Sequence, residues 1–327
     1  MSDFSLEATV FRALTLDGKG GLAMSGNKDA ASFMRRDTPN WIHLRADNEA
    51  CREWLENASL LHPVAVQALL SEETRPRTLC RGSRLLITLR GVNTNIATGV
   101  ADLISLRCWS DGEQLVTSYL RALDCTDEQG QLLEQGEGAK DVPSLLVALI
   151  EGVIDTLHDP IAHLEDHIIG FEEALLESTQ QDWRAELSAL RKDIVAIGRY
   201  LPPQREAIDR LIASTLPWID DNHRVALRET NDRLSRLIEQ LDEIRERASL
   251  AQEELLARLS EDTSRRSYVF AVVATLFLPL GFLTGLLGIN VGGMPGVDDA
   301  SAFWWVVGTC VALGAALLIA FRVNRWL

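Results

Sequence analysis

Residues 268–287, YVFAVVATLFLPLGFLTGLL, and residues 302–321, AFWWVVGTCVALGAALLIAF, decide how this chain is read. Each is a run of twenty residues without a charge, which matches the ~20 residues a helix needs to cross a hydrocarbon core. One such run would suit the core helix of a water-soluble protein equally well. Two in succession point to a membrane. Arg265 and Arg266 precede the first run, and Arg322 and Arg325 follow the second. The connection between them, residues 288–301, holds Asp298 and Asp299 but no Lys or Arg. Basic flanks stay on the cytoplasmic side, so both termini are expected in the cytoplasm and the connection outside. Trp304, Trp305 and Trp326 stand where interfacial aromatic residues belong.

Upstream of the first span, no Gly or Pro occurs from Trp218 to Leu278. Leu227, Leu234, Leu241, Ala248 and Leu255 fall seven apart, and Leu237, Ile244 and Ala251 supply a second seam. A heptad pattern sustained this far predicts one long helix packed against other helices. At about 1.5 Å per residue it would span on the order of 90 Å. A globular domain has no use for such a rod, whereas a stalk (residues 218–267) running into a membrane does. Its acidic residues alternate with Arg at intrahelical pairing distance, which suits a solvated face.

Two spans per chain cannot enclose a hydrophilic pathway, so a pore requires several copies around an axis. On the first span, Ser267, Ala274 and Gly281 are seven apart, with Phe270 and Leu278 between them on the same helical face. Small residues at this spacing allow helices to approach closely. The same stripe would also line a mostly apolar pore with one ring of hydroxyls. Pattern alone leaves both open.

The formal charge of −15 belongs to the part before the spans, because the tail from Tyr268 carries only Asp298, Asp299, Arg322 and Arg325. An acidic surface argues against a nucleic-acid partner, which needs clustered Lys and Arg. The five cysteines, Cys51, Cys80, Cys108, Cys125 and Cys310, are odd in number and scattered, as expected of reduced, buried thiols facing a cytosol. Met1-Ser2-Asp3-Phe4-Ser5 has neither a basic nor an apolar region, so no signal peptide is expected.

Residues 1–141 read as an α/β domain. Residues 8–16, 41–44, 85–89, 103–108 and 114–118 are β-prone runs, Asp111-Gly112 is a hairpin signal, and residues 49–57 and 62–70 read as helices. Residues 142–217 read as helical: one helix over 145–176 bent at Pro160, another over 182–200, and a third over 204–216 after a break at Pro202-Pro203. Within ten residues lie His158, Asp159, His163, Glu165, Asp166 and His167. His163 and His167, four apart, could share a regulatory metal ion. Without a thiolate or a third ligand, a solvated helix face is the favoured account. No phosphate-binding loop and no nucleophile with a base stands out, so neither an ATP-driven pump nor an enzyme is expected, and no cofactor.

The outer end of the first span reads Phe277-Leu278-Pro279-Leu280-Gly281-Phe282-Leu283-Thr284-Gly285-Leu286-Leu287-Gly288-Ile289-Asn290. This resembles the first membrane helix and Gly-Met-Asn motif of the CorA metal-ion transporter family. With Gly288-Ile289-Asn290 in place of Gly-Met-Asn, and Val291-Gly292-Gly293-Met294-Pro295-Gly296 following, it is similar to the ZntB-like, zinc-transporting branch. Gly296 stands where the magnesium branch commonly has an acidic residue. The resemblance implies an inner-membrane homopentamer shaped as a funnel, with an α/β cytoplasmic domain, a stalk and a central pore lined by the first membrane helix. It implies Zn²⁺ as the transported ion, extending to Cd²⁺ or other divalent cations, by passive or proton-coupled movement. A Mg²⁺ or Co²⁺ channel of the same family and a non-conducting membrane-anchored coiled-coil sensor are the alternatives. Five Asn290 amides would form a neutral ring able to accept hydrogen bonds from an ion's water shell. Gly288 lets the backbone leave helical geometry, Ile289 offers no ligand, and Asp298 and Asp299 would attract cations.

Overall fold

The computed structural model describes residues 11–26, 38–57, 61–72, 75–92, 103–176, 183–289 and 301–323. The chain divides into two compact units, Met1–Gln252 and Glu253–Leu327.

The first unit is built on a seven-stranded sheet: β1 (Phe11–Leu16), β2 (Leu22–Gly26), β3 (Asn40–Arg45), β4 (Arg77–Arg81), β5 (Arg84–Val92), β6 (Leu103–Ser110) and β7 (Gln114–Tyr119). Their order is β2-β1-β3-β7-β6-β5-β4. Among the described strands, only the β3–β7 pair is parallel. The Asp111-Gly112 signal forms the expected hairpin: the Asp111 carboxylate accepts from the backbone N–H groups of Glu113 and Gln114 at 3.1 and 2.8 Å. Gly112 has φ +99°, and a Cβ there would lie 2.4 Å from the Trp218 ring, so both conformation and space require glycine. Strands β2 and β4 were not expected. Leu22–Gly26 has no β-branched residue and Arg77–Arg81 is bounded by arginines; pairing with β1 and β5 outweighs these weak local preferences.

Alternation sends Ile42, Leu44, Leu86, Trp109 and Val116 to one face, where they bury Cys51 and Leu55 of α1 (Glu49–Asn57) and Ala65, Ala68 and Leu69 of α2 (Pro63–Leu70). The other face meets α4 (Val142–Asp155), whose Leu145, Leu149, Ile150 and Val153 are wholly buried. Each such aliphatic side chain contributes ~1.5–3 kcal/mol. Beside α4 lies α3 (Asp124–Gln135), a mostly polar helix that the sequence pattern did not announce.

His43, on this second face, is 4% exposed. Its Nδ1 lies 2.7 Å from the Thr117 hydroxyl, which accepts from Trp41 Nε1 at 2.8 Å, and its ring stacks on Tyr119 with 4.5 Å between centroids. The Nε2 of His43 is buried with no partner among the described residues. Burial, aided by the Arg12 guanidinium, pushes the His43 pKa down to about 3. Asp127 of α3 moves the other way: burial pushes its carboxyl up to about 6 against the pull of Arg12.

Two helical boundaries differ from the sequence expectation. Residues 145–176 do not form one helix bent at Pro160; α4 ends at Asp155 and α5 (His158–Leu176) begins after Thr156-Leu157. The Thr156 hydroxyl donates to the Val153 carbonyl at 2.8 Å and accepts from Val92 N at 3.0 Å. Pro160 falls in the first turn of α5, where no N–H is needed. Similarly, Pro202 and Pro203 open α7 (Leu201–Ile212) instead of interrupting a helix, following α6 (Trp183–Gly198).

Helix α8 runs unbroken for 67 residues, Asp221–Leu287. Its start is capped by Asp220, whose carboxylate accepts from His223 N at 2.9 Å. That backbone bond is the main reason the Asp220 carboxyl lies below its usual range. Leu227, Leu234, Leu237, Leu241, Ile244, Ala248 and Ala251 are buried by the chain itself. Arg233 pairs with Asp155 at 3.3 Å, Gln240 bonds Glu165, and Arg247 pairs with Glu172 at 2.5 Å. These cross-links tie the first part of α8 to α4 and α5. Charge pairing within the helix, expected from the sequence, also occurs between Arg258 and Glu254.

In the second unit, the end of α8 and α9 (Ala302–Val323) are each long and apolar enough to cross a membrane, and none of the most apolar stretch of α8 is buried. The hydroxyls of Thr275, Thr284 and Thr309 donate to the carbonyls four residues back, at 2.7, 2.9 and 2.9 Å. That leaves none of these donors facing hydrocarbon.

Candidate ion pathway

Within the second unit, partial burial selects one stripe on each helix. On α8 the half-buried positions are Val272, Leu276, Pro279, Leu280 and Leu283; on α9 they include Val306, Cys310, Leu313 and Leu317, with Phe321 fully buried. Both sets follow the three-to-four spacing of a helix face. Phe270 and Leu278 are 75% and 78% exposed, and Ser267, Ala274 and Gly281 are exposed as well. At 100° per residue this candidate stripe lies opposite the half-buried one on α8. A Cβ on Gly281 would meet nothing within 4 Å. The stripe is therefore one continuous uncovered face, with a small residue at each end and in the middle.

The motif follows at the helix end. Gly288 N donates to the carbonyls of Thr284 at 2.9 Å and Gly285 at 3.2 Å, closing the last turn. A Cβ on Gly288 would lie 3.1 Å from the Thr284 carbonyl, so a larger residue would crowd this closure. Ile289 is 49% exposed. Asn290, Asp298 and Asp299 lie outside the described residues. Pro279, given no role from the sequence, sits inside α8. Lacking an N–H, it leaves the Thr275 carbonyl without its usual amide donor.

His163 and His167 are both exposed on α5, one turn apart. His167 Nε2 is 3.3 Å from the Glu186 carboxylate of α6. Among the described residues, no group of three or more His, Cys, Asp or Glu side chains is placed to hold a metal ion. The polar ladder between α8 and its neighbours was missed from the sequence. Its signal is a shared seven-residue period, Glu165 and Glu172 on α5 against Arg233, Gln240 and Arg247 on α8. The acidic partners are 75 or more positions away in sequence, and nothing local marks them as neighbours.

A family model described as CorA-like Mg²⁺ transporter protein matches residues 36–323. The zinc transport protein ZntB of Pectobacterium carotovorum subsp. carotovorum (strain PC1) is 33% identical over 315 residues, covering 96% of this chain and 95% of the relative. The structure of the full-length CmaX protein superposes with a TM-score of 0.81 at 31% identity, covering 96% of this chain and 97% of that one. The complete CorA magnesium transporter from Methanocaldococcus jannaschii also gives 0.81, at 18% identity, covering 97% and 99%, a likeness of fold. With the model matching nearly the whole length and a relative above 30% identity, the chain belongs to the CorA-like Mg²⁺ transporter protein family, whose members are transporters and not enzymes.

Proposed function

We propose that this chain forms a homopentamer in the inner membrane and carries divalent cations, Zn²⁺ foremost, along a central pathway. The reading rests on one observation above all: the face of α8 from Ser267 to Gly281 is uncovered and lies opposite the face shielded within the second unit. In a ring of copies, a face left free in this way can line an axis. Residues 1–141 and 142–217 then form the cytoplasmic body and 218–267 the stalk. Residues 268–287 and 302–321 are the spans, 288–301 the outer loop, and 322–327 the inner tail.

Ions would first meet Asp298 and Asp299, then the ring of Asn290. Amide oxygens hold a hydrated ion weakly enough for release. Below them the stripe is nearly all apolar, so it offers no imidazole or thiolate of the kind Zn²⁺ prefers as direct ligands. The ion therefore crosses with its water shell. Zinc is favoured because the relative at 33% identity is named for zinc transport, and because Gly296 follows Met294-Pro295. The family description favours a magnesium channel as the second reading.

Flux into proteoliposomes across Zn²⁺, Cd²⁺, Mg²⁺ and Co²⁺ tests this, with and without an imposed proton gradient. Saturable Zn²⁺ uptake is expected, and the gradient separates coupled from passive movement. Mg²⁺ flux without Zn²⁺ flux would favour the second reading. Absence of any flux from correctly assembled protein would leave the non-conducting sensor.

A further inference from the structure

A cavity of about 500 Å³ opens in the first unit between the start of α2 and the β4–β5 hairpin. Its apolar wall is made by Val64, Leu79, Leu85, Leu86 and Trp109, and its polar edge by His62, Arg81 and Arg84. Leu79 and Val64 are 49% and 47% exposed, so apolar surface faces the opening. The size falls within the range of small-molecule sites.

The polar edge is short of acceptors. His62 caps α2, its Nδ1 accepting from Val64 N at 3.2 Å. A neutral imidazole with Nδ1 accepting carries its proton on Nε2. That Nε2 lies 3.2 Å from Arg81 Nη1, which is also a donor and has no acceptor capacity. Two donors thus face each other at the mouth of the cavity. Arg84 adds to the conflict: it is the cross-strand partner of Arg81 across the Gly82-Ser83 turn, and like charges directly opposite repel. Among the described residues, neither arginine pairs with a carboxylate. An oxygen anion on the cavity side would accept from His62 Nε2 and Arg81 together and offset the Arg81–Arg84 repulsion. The wall beside it would take an apolar group.

We propose that this cavity binds a small organic carboxylate with an apolar body. The carboxylate is held by His62, Arg81 and Arg84, and the body lies against Leu79, Leu86 and Trp109. The site stands apart from the transport pathway and does not depend on which ion is carried.

The test uses the full chain in lipid nanodiscs and 3-phenylpropionate as probe, followed by titration calorimetry. Saturable binding of one probe per chain is expected. Acetate, which has only the head, and 3-phenylpropanol, which has only the body, should each bind at least roughly tenfold more weakly. Arg81→Gln/Arg84→Gln should weaken the probe by a similar factor, and Leu79→Ser by a few-fold; all three positions are exposed, so the variants should fold. Three results would overturn the proposal: no saturable binding to the wild type, undiminished binding to the double variant, or inorganic phosphate binding as tightly as the probe.

Discussion

His43 and Asp127 set up a pH dependence whose two parts oppose each other. For His43, the unfolded chain takes up a proton near 6.5 while the folded chain resists until about 3. The stability it confers is present above 6.5 and is lost as pH falls. From 6.5 to 5 is 1.5 units, at ~1.36 kcal/mol each, so about 2 kcal/mol is lost by pH 5. Asp127 has its folded value raised from 3.8 to about 6. The folded state therefore protonates first, and its contribution grows as pH falls below 6, reaching ~1.4 kcal/mol at pH 5. Between pH 7 and pH 5 these two contributions partly cancel. His43→Phe keeps a ring against Tyr119 but removes the titration. Relative to the wild type it should favour pH 5 over pH 7 by a further ~2 kcal/mol, while Asp127→Asn should steepen the loss between the two by ~1.4 kcal/mol. Urea midpoints of the first unit, followed by tryptophan emission in the detergent-solubilised chain at both pH values, would report this. If His43→Phe shows the wild-type pH dependence, the buried ring is not the group that titrates and the argument fails.

Three further outcomes are expected. Asn290→Ala should nearly abolish Zn²⁺ uptake with the oligomer intact, whereas Asn290→Asp should tighten entry and slow release; wild-type flux from Asn290→Ala would move the filter elsewhere. A reporter fused after Leu327 should be cytoplasmic and Gly296→Cys should be labelled from outside; a C-terminus on the outer side would overturn the two-span topology. Leu234→Ala, at a position that is 0% exposed on α8, should cost ~2–5 kcal/mol in the same urea assay, and a change within ~0.5 kcal/mol would mean the seam is not packed there.

What could be read from the sequence tracks how local the deciding physics is. The two apolar runs and the Gly- and Pro-free stretch ahead of them carry their own evidence in composition and period, and α8 and α9 follow directly. The Asp111-Gly112 hairpin is equally local. Strands β2 and β4 were hidden because their stability comes from pairing with β1 and β5, and α3 because its polar sequence gains its place from packing beside α4. Pro160 and Pro202-Pro203 misled because a proline breaks a helix interior but suits its first turn. For the candidate site, residues 267–281 could be put on one face from spacing. Which face of α8 stays uncovered required the positions of Val272, Leu276 and Leu283 as well.

Trp218 stands three residues ahead of α8 and touches two hairpins at once. Its Nε1 donates to the Ser83 carbonyl at the β4–β5 tip, at 2.6 Å, and its ring fills the space that glycine leaves at the β6–β7 tip. One indole is therefore the shared footing of both tips and of the segment that launches the long helix. Ser83 also lines the cavity beside Arg81 and Arg84. A guest that displaced that tip would change what this indole touches, which makes the fluorescence of Trp218 a report on occupancy of the cavity.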